Sequence, residues 1–156
     1  MKPDNLIPRI LHFPLDASIL EQESDPVEEG DDWEGLITRL HLSLIMSKTP
    51  ALGLSAIQIG VPARVFIALL GGRVMPFVNP IIIKSYGSYE EEEEGCLSVE
   101  GCWKVKRWGS IDIKPAQIGT KNLSKIVTFH GLDARIIQHE MDHLDGRLIH
   151  TRGIAC

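Results

Sequence analysis

The stretch from Gly131 to Gly146, GLDARIIQHEMDHLDG, constrains the fold of this chain more than any other. Its apolar residues at 132, 136, 137, 141, 144 and, just beyond it, 148 recur with helical spacing. Asp133 can cap this helix or sit in its first turn, where a carboxylate favours the positive end of the dipole. A helix with that many apolar positions has to be buried on much of its surface, so the remaining chain must wrap around it. Within it, His139, Glu140 and His143 form HEMDH, an H-E-x-x-H pattern. Residues four apart stack on one helix face about 6 Å apart along the axis, so both imidazoles can reach one metal ion. Glu140 points at a different angle and can address a water beside the ion rather than the ion itself.

Two histidines leave such a site one protein ligand short of the usual three plus water. Downstream, His150, Asp145 and Asp142 are the nearby candidates. Upstream, Cys96 lies in EEGCLSVEG, where an acidic run meets Gly95 and then an apolar stretch. As a thiolate it would complete a Cys-His-His site; as a small buried hydrophobe it would need no ligand role. The chain has three cysteines, an odd count, and Cys156 is the last residue, so a disulfide framework is not expected. Cys102 is read as a packed or edge residue.

At 156 residues the chain fits one domain, spanning 1–156, with enough apolar residues (44%) to build a core without staples. The formal charge of -5 owes much to Asp31, Asp32 and the glutamates at 90–94, and no basic stripe alternates with aromatics. Direct nucleic-acid recognition is therefore not expected. Lys104, Lys106 and Arg107 read as a solvated strand edge. No apolar run is long enough for a membrane span, and the first residues, MKPDNLIPRI, do not read as a signal peptide. A cytoplasmic location is expected.

Prolines at 8, 14 and 26 with scattered acids suggest that residues 1–30 form an extended N-terminal arm lying on the body. WEGLITRLHLSLIMS at 33–47 reads as an amphipathic helix ending before Pro50, with His41 an ordinary surface residue. RVFIALL at 64–70, VMPFVNPIII at 74–83, KVKRWGSIDI from 104 and SKIVTFH at 124–130 read as strands, with PAQIGTKN an irregular turn. Short strands followed by one late helix predict an α+β fold with mostly antiparallel sheets around the HExxH-bearing helix.

Three separated stretches, GLSAIQ at 53–58, EGCLS at 94–98 and QHEMDH at 138–143, together resemble the three motifs of the peptide deformylases, in the same order and at similar spacing. The resemblance covers roughly residues 8–150. It implies removal of the formyl group from formyl-methionyl nascent peptides, with Cys96, His139 and His143 holding one divalent metal ion and Glu140 as general base. The ion it implies is natively Fe2+, with Zn2+, Ni2+ or Co2+ able to substitute. It further implies that the Leu97 backbone N–H and the Gln58 side chain stabilise the developing oxyanion. Without the family, Gln58 would read as a surface polar group. Leu52, Gly53, Glu94, Gly95 and Ile136 are expected to bind substrate, whose backbone would pair with strand edges near 51–53 and 99–101. A monomer making a transient ribosome contact is expected. Short relatives encoded by bacteriophages suggest a viral source and hence a host cytoplasm.

Departures from the family pattern cluster at the cleft. Ala51, Ser55 and Ile57 alter the first motif, Glu100 stands where proline usually follows the second, and Glu92 and Arg135 are charged where apolar residues are common. Glu92 and Arg135 could form a rim pair, worth little in water, or could select substrates. The rival functions are another HExxH hydrolase, and a non-catalytic relative that binds peptides or the ribosome.

Overall fold

The structure is a computed structural model that describes residues 7–114, 117–118, 121–122 and 125–156. The segment around the HEMDH motif is helix α3, Gly131–Leu144, once the arm helix α1 (Ala17–Leu20) and the longer α2 (Trp33–Met46) are counted. Two antiparallel sheets enclose α3. The first, in order β1 (Gly53–Ser55), β2 (Val65–Leu70) and β3 (Arg73–Val78), is a meander. The second joins β4 (Ile81–Cys96), β5 (Val99–Lys114) and β8 (Val127–His130), and β9 (Gly153–Ala155) pairs with β5 as well. A small ladder, β6 (Gln117–Ile118) with β7 (Lys121–Asn122), occupies part of the stretch expected to be an irregular turn; the rest of that stretch lies outside the described residues.

Side-chain alternation along β2 explains why this sheet can serve two layers. Phe66, Ala68 and Leu70 face one way and join Phe77, Ile111, Ile137, Met141 and Leu144 in a core around α3. Val65 and Ile67 face the other way and pack with Leu36, Leu40 and Leu54 beneath α2. α2 begins where the Asp32 side chain accepts a hydrogen bond from the Gly35 N–H at 3.0 Å, satisfying one of the unpaired amides of its first turn. His41 is exposed on it, as expected.

The structure departs from the sequence reading at four places. The run at 74–83 is two strands, because Asn79 adopts φ 48° ahead of Pro80 and ends the first. Its side chain brackets Val27, accepting from the Val27 N–H at 2.8 Å and donating to its carbonyl at 2.9 Å, so the break also fixes the arm. The glutamates at 90–94 belong to the long strand β4, where cross-strand partners on β5 compensate for their poor strand propensity. The arm is not extended throughout: residues 13–22 form turns and the helical turn α1, and residues 1–6 lie outside the description. Finally, Cys102 and Cys156 form a disulfide. β9 pairs Trp103 with Ala155, and the Cys156 N–H donates to the Cys102 carbonyl at 3.0 Å, which brings together two residues 54 positions apart. No spacing in the sequence signals that pairing.

Gly146 closes α3 at φ 70°, and a Cβ there would sit 2.5 Å from the Glu21 carbonyl oxygen. Gly146→Ala combines left-handed backbone strain with a clash against main chain, and is expected to cost at least about 1–3 kcal/mol. Thermal unfolding measures this; an unchanged melting temperature contradicts the packing of the arm against the end of α3.

Candidate metal centre and cleft

Three elements converge at one end of a cavity of about 640 Å³. Helix α3 contributes His139, Glu140 and His143. The β4–β5 turn contributes Cys96 and Leu97, and β1 with the 3₁₀ turn Ala56–Ile59 contributes Gly53, Ser55 and Gln58. Ligand atoms of Cys96, His139 and His143 all lie within 4.8 Å of one another, and Cys96 Sγ stands 3.4 Å from His143 Nε2. Asp142, Asp145 and His150 do not share this point. Asp142 is bound by Arg107 and Arg152, Asp145 by Arg64, and the His150 ring stacks on Phe13 at 4.2 Å.

The donor set fits a cation of intermediate softness. Burial pushes the Cys96 thiol up, but the imidazoles of His143 and His139 more than reverse this and hold it well below the ordinary thiol range. Burial likewise opposes charging of His139, yet its bonds to Cys96 and Glu94 raise it well above the ordinary histidine value. A depressed thiol beside two imidazole rings offers one sulfur and two nitrogen donors to a single point, a set suited to a cation. The other ring nitrogen of His139, Nδ1, is held by Glu94 Oε1 at 3.0 Å, which aims Nε2 inward; His143 Nδ1 is buried with no hydrogen-bond partner among the described residues.

Glu94 is itself enclosed. One carboxylate oxygen accepts from Arg107 Nη2 at 3.0 Å as well as from His139, and the other from Arg107 Nε at 3.1 Å and Arg135 Nη1 at 2.6 Å. Burial would push this acid up, but the His139 and Arg107 bonds outweigh it and bring it down to about 2. Arg107 also binds Asp142 on the far side. It is therefore a buried residue and not part of a solvated edge, because it stands on β5 between β4 and α3; Lys104 and Lys106, on the opposite face, are exposed as expected. Arg135 does pair with Glu92 at 3.3 Å, but it is not a rim residue: its side chain is only 9% exposed and also donates to the Val105 and Glu90 carbonyls.

Glu140 is buried, with its pKa raised by burial against the pull of His139, His143 and a hydrogen bond from Ser55. Ser55 Oγ donates to Glu140 Oε2 at 2.7 Å. On the other side, a Cβ on Gly53 would fall 2.5 Å from Glu140 Oε1, so only glycine leaves room for the carboxylate. Gln58 is buried rather than at the surface. Its oxygen accepts from the Ser55 N–H at 2.9 Å, and its Nε2 donates to Ser98 Oγ at 3.0 Å and lies 3.8 Å from Cys96 Sγ. Leu52, Gly53, Glu94, Gly95, Leu97 and Ile136 all line the cavity, together with Ala51, Glu92, Glu100 and Arg135, four of the six positions that depart from the family pattern; Ser55 and Ile57 are buried outside its lining. Ser55 and Arg107 are the residues the sequence reading assigned no function. Ser55 stood out only as a departure within GLSAIQ, and nothing in the sequence ties Arg107 to Glu94.

Residues 8–154 match the family described as Polypeptide deformylase. The chain belongs to that family. It is 40% identical over 136 residues to a peptide deformylase of Clostridium beijerinckii, covering 86% of this chain and 95% of the relative. A peptide deformylase of Agrobacterium fabrum is 36% identical over 142 residues, covering 86% and 81%. Among solved structures, the peptide deformylase of Thermotoga maritima superposes with a TM-score of 0.83 at 31% identity, covering 95% of this chain and 98% of that one. The α+β fold and the deformylase assignment expected from the motifs are thus both met.

Arg107→Met would leave the Glu94 and Asp142 carboxylates buried without their shared cation, and is expected to destabilise the protein by about 3–5 kcal/mol. Chemical denaturation checks this. A loss below about 1 kcal/mol would mean the network is solvated rather than enclosed.

Proposed function

We propose that this chain removes the formyl group from formyl-methionyl nascent peptides through Cys96, His139 and His143 as ligands of one metal ion and Glu140 as the group that moves the proton. The observation that carries the reading is the meeting of a thiolate, two imidazoles and a buried carboxylate at the inner end of one cavity. A divalent ion held by Cys96, His139 and His143 would supply Lewis acidity to a water and to the formyl oxygen. Fe2+ is the native ion in this reading, and the mixed sulfur and nitrogen donors also suit Zn2+, Ni2+ or Co2+.

Glu140, kept from full acidity by burial, accepts the proton and returns it to the departing amine. Ser55 holds one carboxylate oxygen and leaves the one beside Gly53 to face the cavity. The Leu97 N–H and Gln58 Nε2 serve the oxygen of the formyl group as it gains charge, a contribution of about 3 kcal/mol for each such donor. Gln58 is pre-oriented for this by its bond from the Ser55 N–H. Glu94 works by orienting His139 rather than by binding peptide, since both its oxygens are occupied.

Leu52, Gly53, Gly95 and Ile136 form the wall for the methionine side chain, and the peptide backbone adds to strand edge near 51–53 and 99–101. A solved Acinetobacter baumannii deformylase bound to Met-Ala-Ser has a TM-score of 0.80 to this chain at 26% identity, which supports a short peptide as occupant of the cleft. A monomer acting in the cytoplasm, meeting nascent chains in a transient contact with the ribosome, completes the reading. Among the described residues no helix is long and apolar enough to cross a membrane.

The deciding measurement is formate release from formyl-Met-Ala-Ser by anaerobically purified ferrous enzyme, beside Glu140→Gln and Cys96→Ala. Glu140→Gln is expected to keep its metal and lose at least about a hundredfold in kcat; Cys96→Ala is expected to lose the metal. Metal retained without Cys96 would favour another kind of HExxH hydrolase, and a fully loaded wild type releasing no formate would favour a peptide binder. Ser55→Ala is expected to lower kcat about tenfold, equivalent to roughly 1.4 kcal/mol, with little change in KM. An unchanged kcat would remove Ser55 from the mechanism.

A further inference from the structure

A second group of metal-ligating side chains lies on the outer face of the β4–β5–β9 sheet. Ligand atoms of Glu93, Cys102 and Cys156 all fall within 4.8 Å of one another. Each comes from a different, neighbouring strand position: Glu93 from β4, Cys102 from β5, and Cys156 from the residue after β9. Main chain rather than the sulfur–sulfur bond fixes their positions. β4 and β5 pair Glu93 with Lys104, β5 and β9 pair Trp103 with Ala155, and the Cys156 N–H donates to the Cys102 carbonyl at 3.0 Å.

We propose that, when the disulfide is reduced, Glu93, Cys102 and Cys156 form a second site for a soft or borderline divalent cation such as Zn2+, separate from the cleft centre. The cytoplasm in which this family's substrate arises keeps thiols reduced, so the pair there is a dithiol rather than a disulfide. Reduction takes two electrons from an external thiol or phosphine, breaks the sulfur–sulfur bond and leaves a proton on each sulfur. Binding then releases both protons to solvent as two metal–sulfur bonds form, with no change in the oxidation state of the ion.

The geometry allows this with side-chain rotation alone. Two thiolates on one tetrahedral Zn2+ at about 2.3 Å stand about 3.8 Å apart. The Cα atoms of Cys102 and Cys156, 5.3 Å apart, accommodate either that separation or a disulfide. Two thiolates and one carboxylate give three protein ligands of suitable softness, with the fourth position open to water. Glu93 has no ion-pair partner within salt-bridge distance among the described residues, although Lys104 lies across from it, so its carboxylate is not already committed. The site is open: Glu93 and Cys156 are exposed and Cys102 is half-buried, so an ion there exchanges with solvent. In the reduced state the ion would take over the disulfide's role of tying β9 to β5.

The test is equilibrium Cd2+ binding to the full chain, reduced with a phosphine that does not itself hold the metal, compared with the oxidised chain and with Cys102→Ser. Reduced wild type is expected to bind about one more equivalent than either control, with an added thiolate-to-cadmium charge-transfer band, and Zn2+ is expected to displace it. The oxidised chain carries no substitution, so it remains a valid control if Cys102→Ser folds poorly. Equal uptake by the reduced and oxidised chains would overturn the proposal and leave the pair as a simple disulfide. Glu93→Gln is expected to weaken the extra equivalent by about tenfold or more; unchanged affinity would remove Glu93 from the site. The formate assay is independent of these arms, so failure here leaves the deformylase reading intact.

Discussion

The carboxylate of Glu94 joins β4, β5 and α3 through buried ion pairs, in addition to the β4–β5 ladder and the bonds of Gln138 to Trp108. It stands near the end of β4, one strand away from Arg107 on β5, and both face α3. Through Arg107 it reaches Asp142 on the helix, through Arg135 it reaches the carbonyls of β4 and β5, and through His139 it reaches the proposed metal centre. An unpaired carboxylate at that depth would be costly, so β4, β5 and α3 each have a single relative position in which these charges are satisfied. The same bonds set the tautomer and orientation of one proposed ligand.

That arrangement also explains how strands of such polar sequence can pack against α3. The inward residues of β4 and β5 alternate between apolar groups such as Val105 and Ile111 and the charged members of the network. The outward residues remain solvated, with Glu91 opposite Lys106 and Glu93 opposite Lys104. On the other side of α3, β2 is apolar on both faces because helices cover both. The proposed metal centre adjoins the charged network: His139 is bound to Glu94, and Cys96 Sγ stands 3.4 Å from His143 Nε2. Glu140 is shaped by its own small enclosure of Gly53 and Ser55, which holds its carboxylate against the first sheet.

Much of the site was legible because its residues are local in sequence. HEMDH places its side chains by helical repeat alone, and the periodicity of α3 already required burial. The strand from 104 followed from alternation, that at 64–70 from an apolar run ended by Gly71 and Gly72, and α2 from its spacing and the following proline. The glutamates at 90–94 were not legible as a strand, because charge and low strand propensity argue against one and only pairing with β5 overrides them. The split at Asn79 depended on a side chain bracketing Val27, more than fifty residues earlier, which no local pattern records.

By itself, then, the sequence determined the buried helix, the histidine pair and glutamate proposed as ligands and general base on it and, through three motifs together, the family. These are properties of residues close along the chain, where helical and strand periodicity act directly. Tertiary structure alone decided that Arg107 is interior, that Arg135 is bound to Glu94 as well as to Glu92, that Ser55 touches Glu140, and that Cys102 meets Cys156. Each is a contact between distant residues, fixed by how strands register against one another and against α3, and residue type alone does not specify that register.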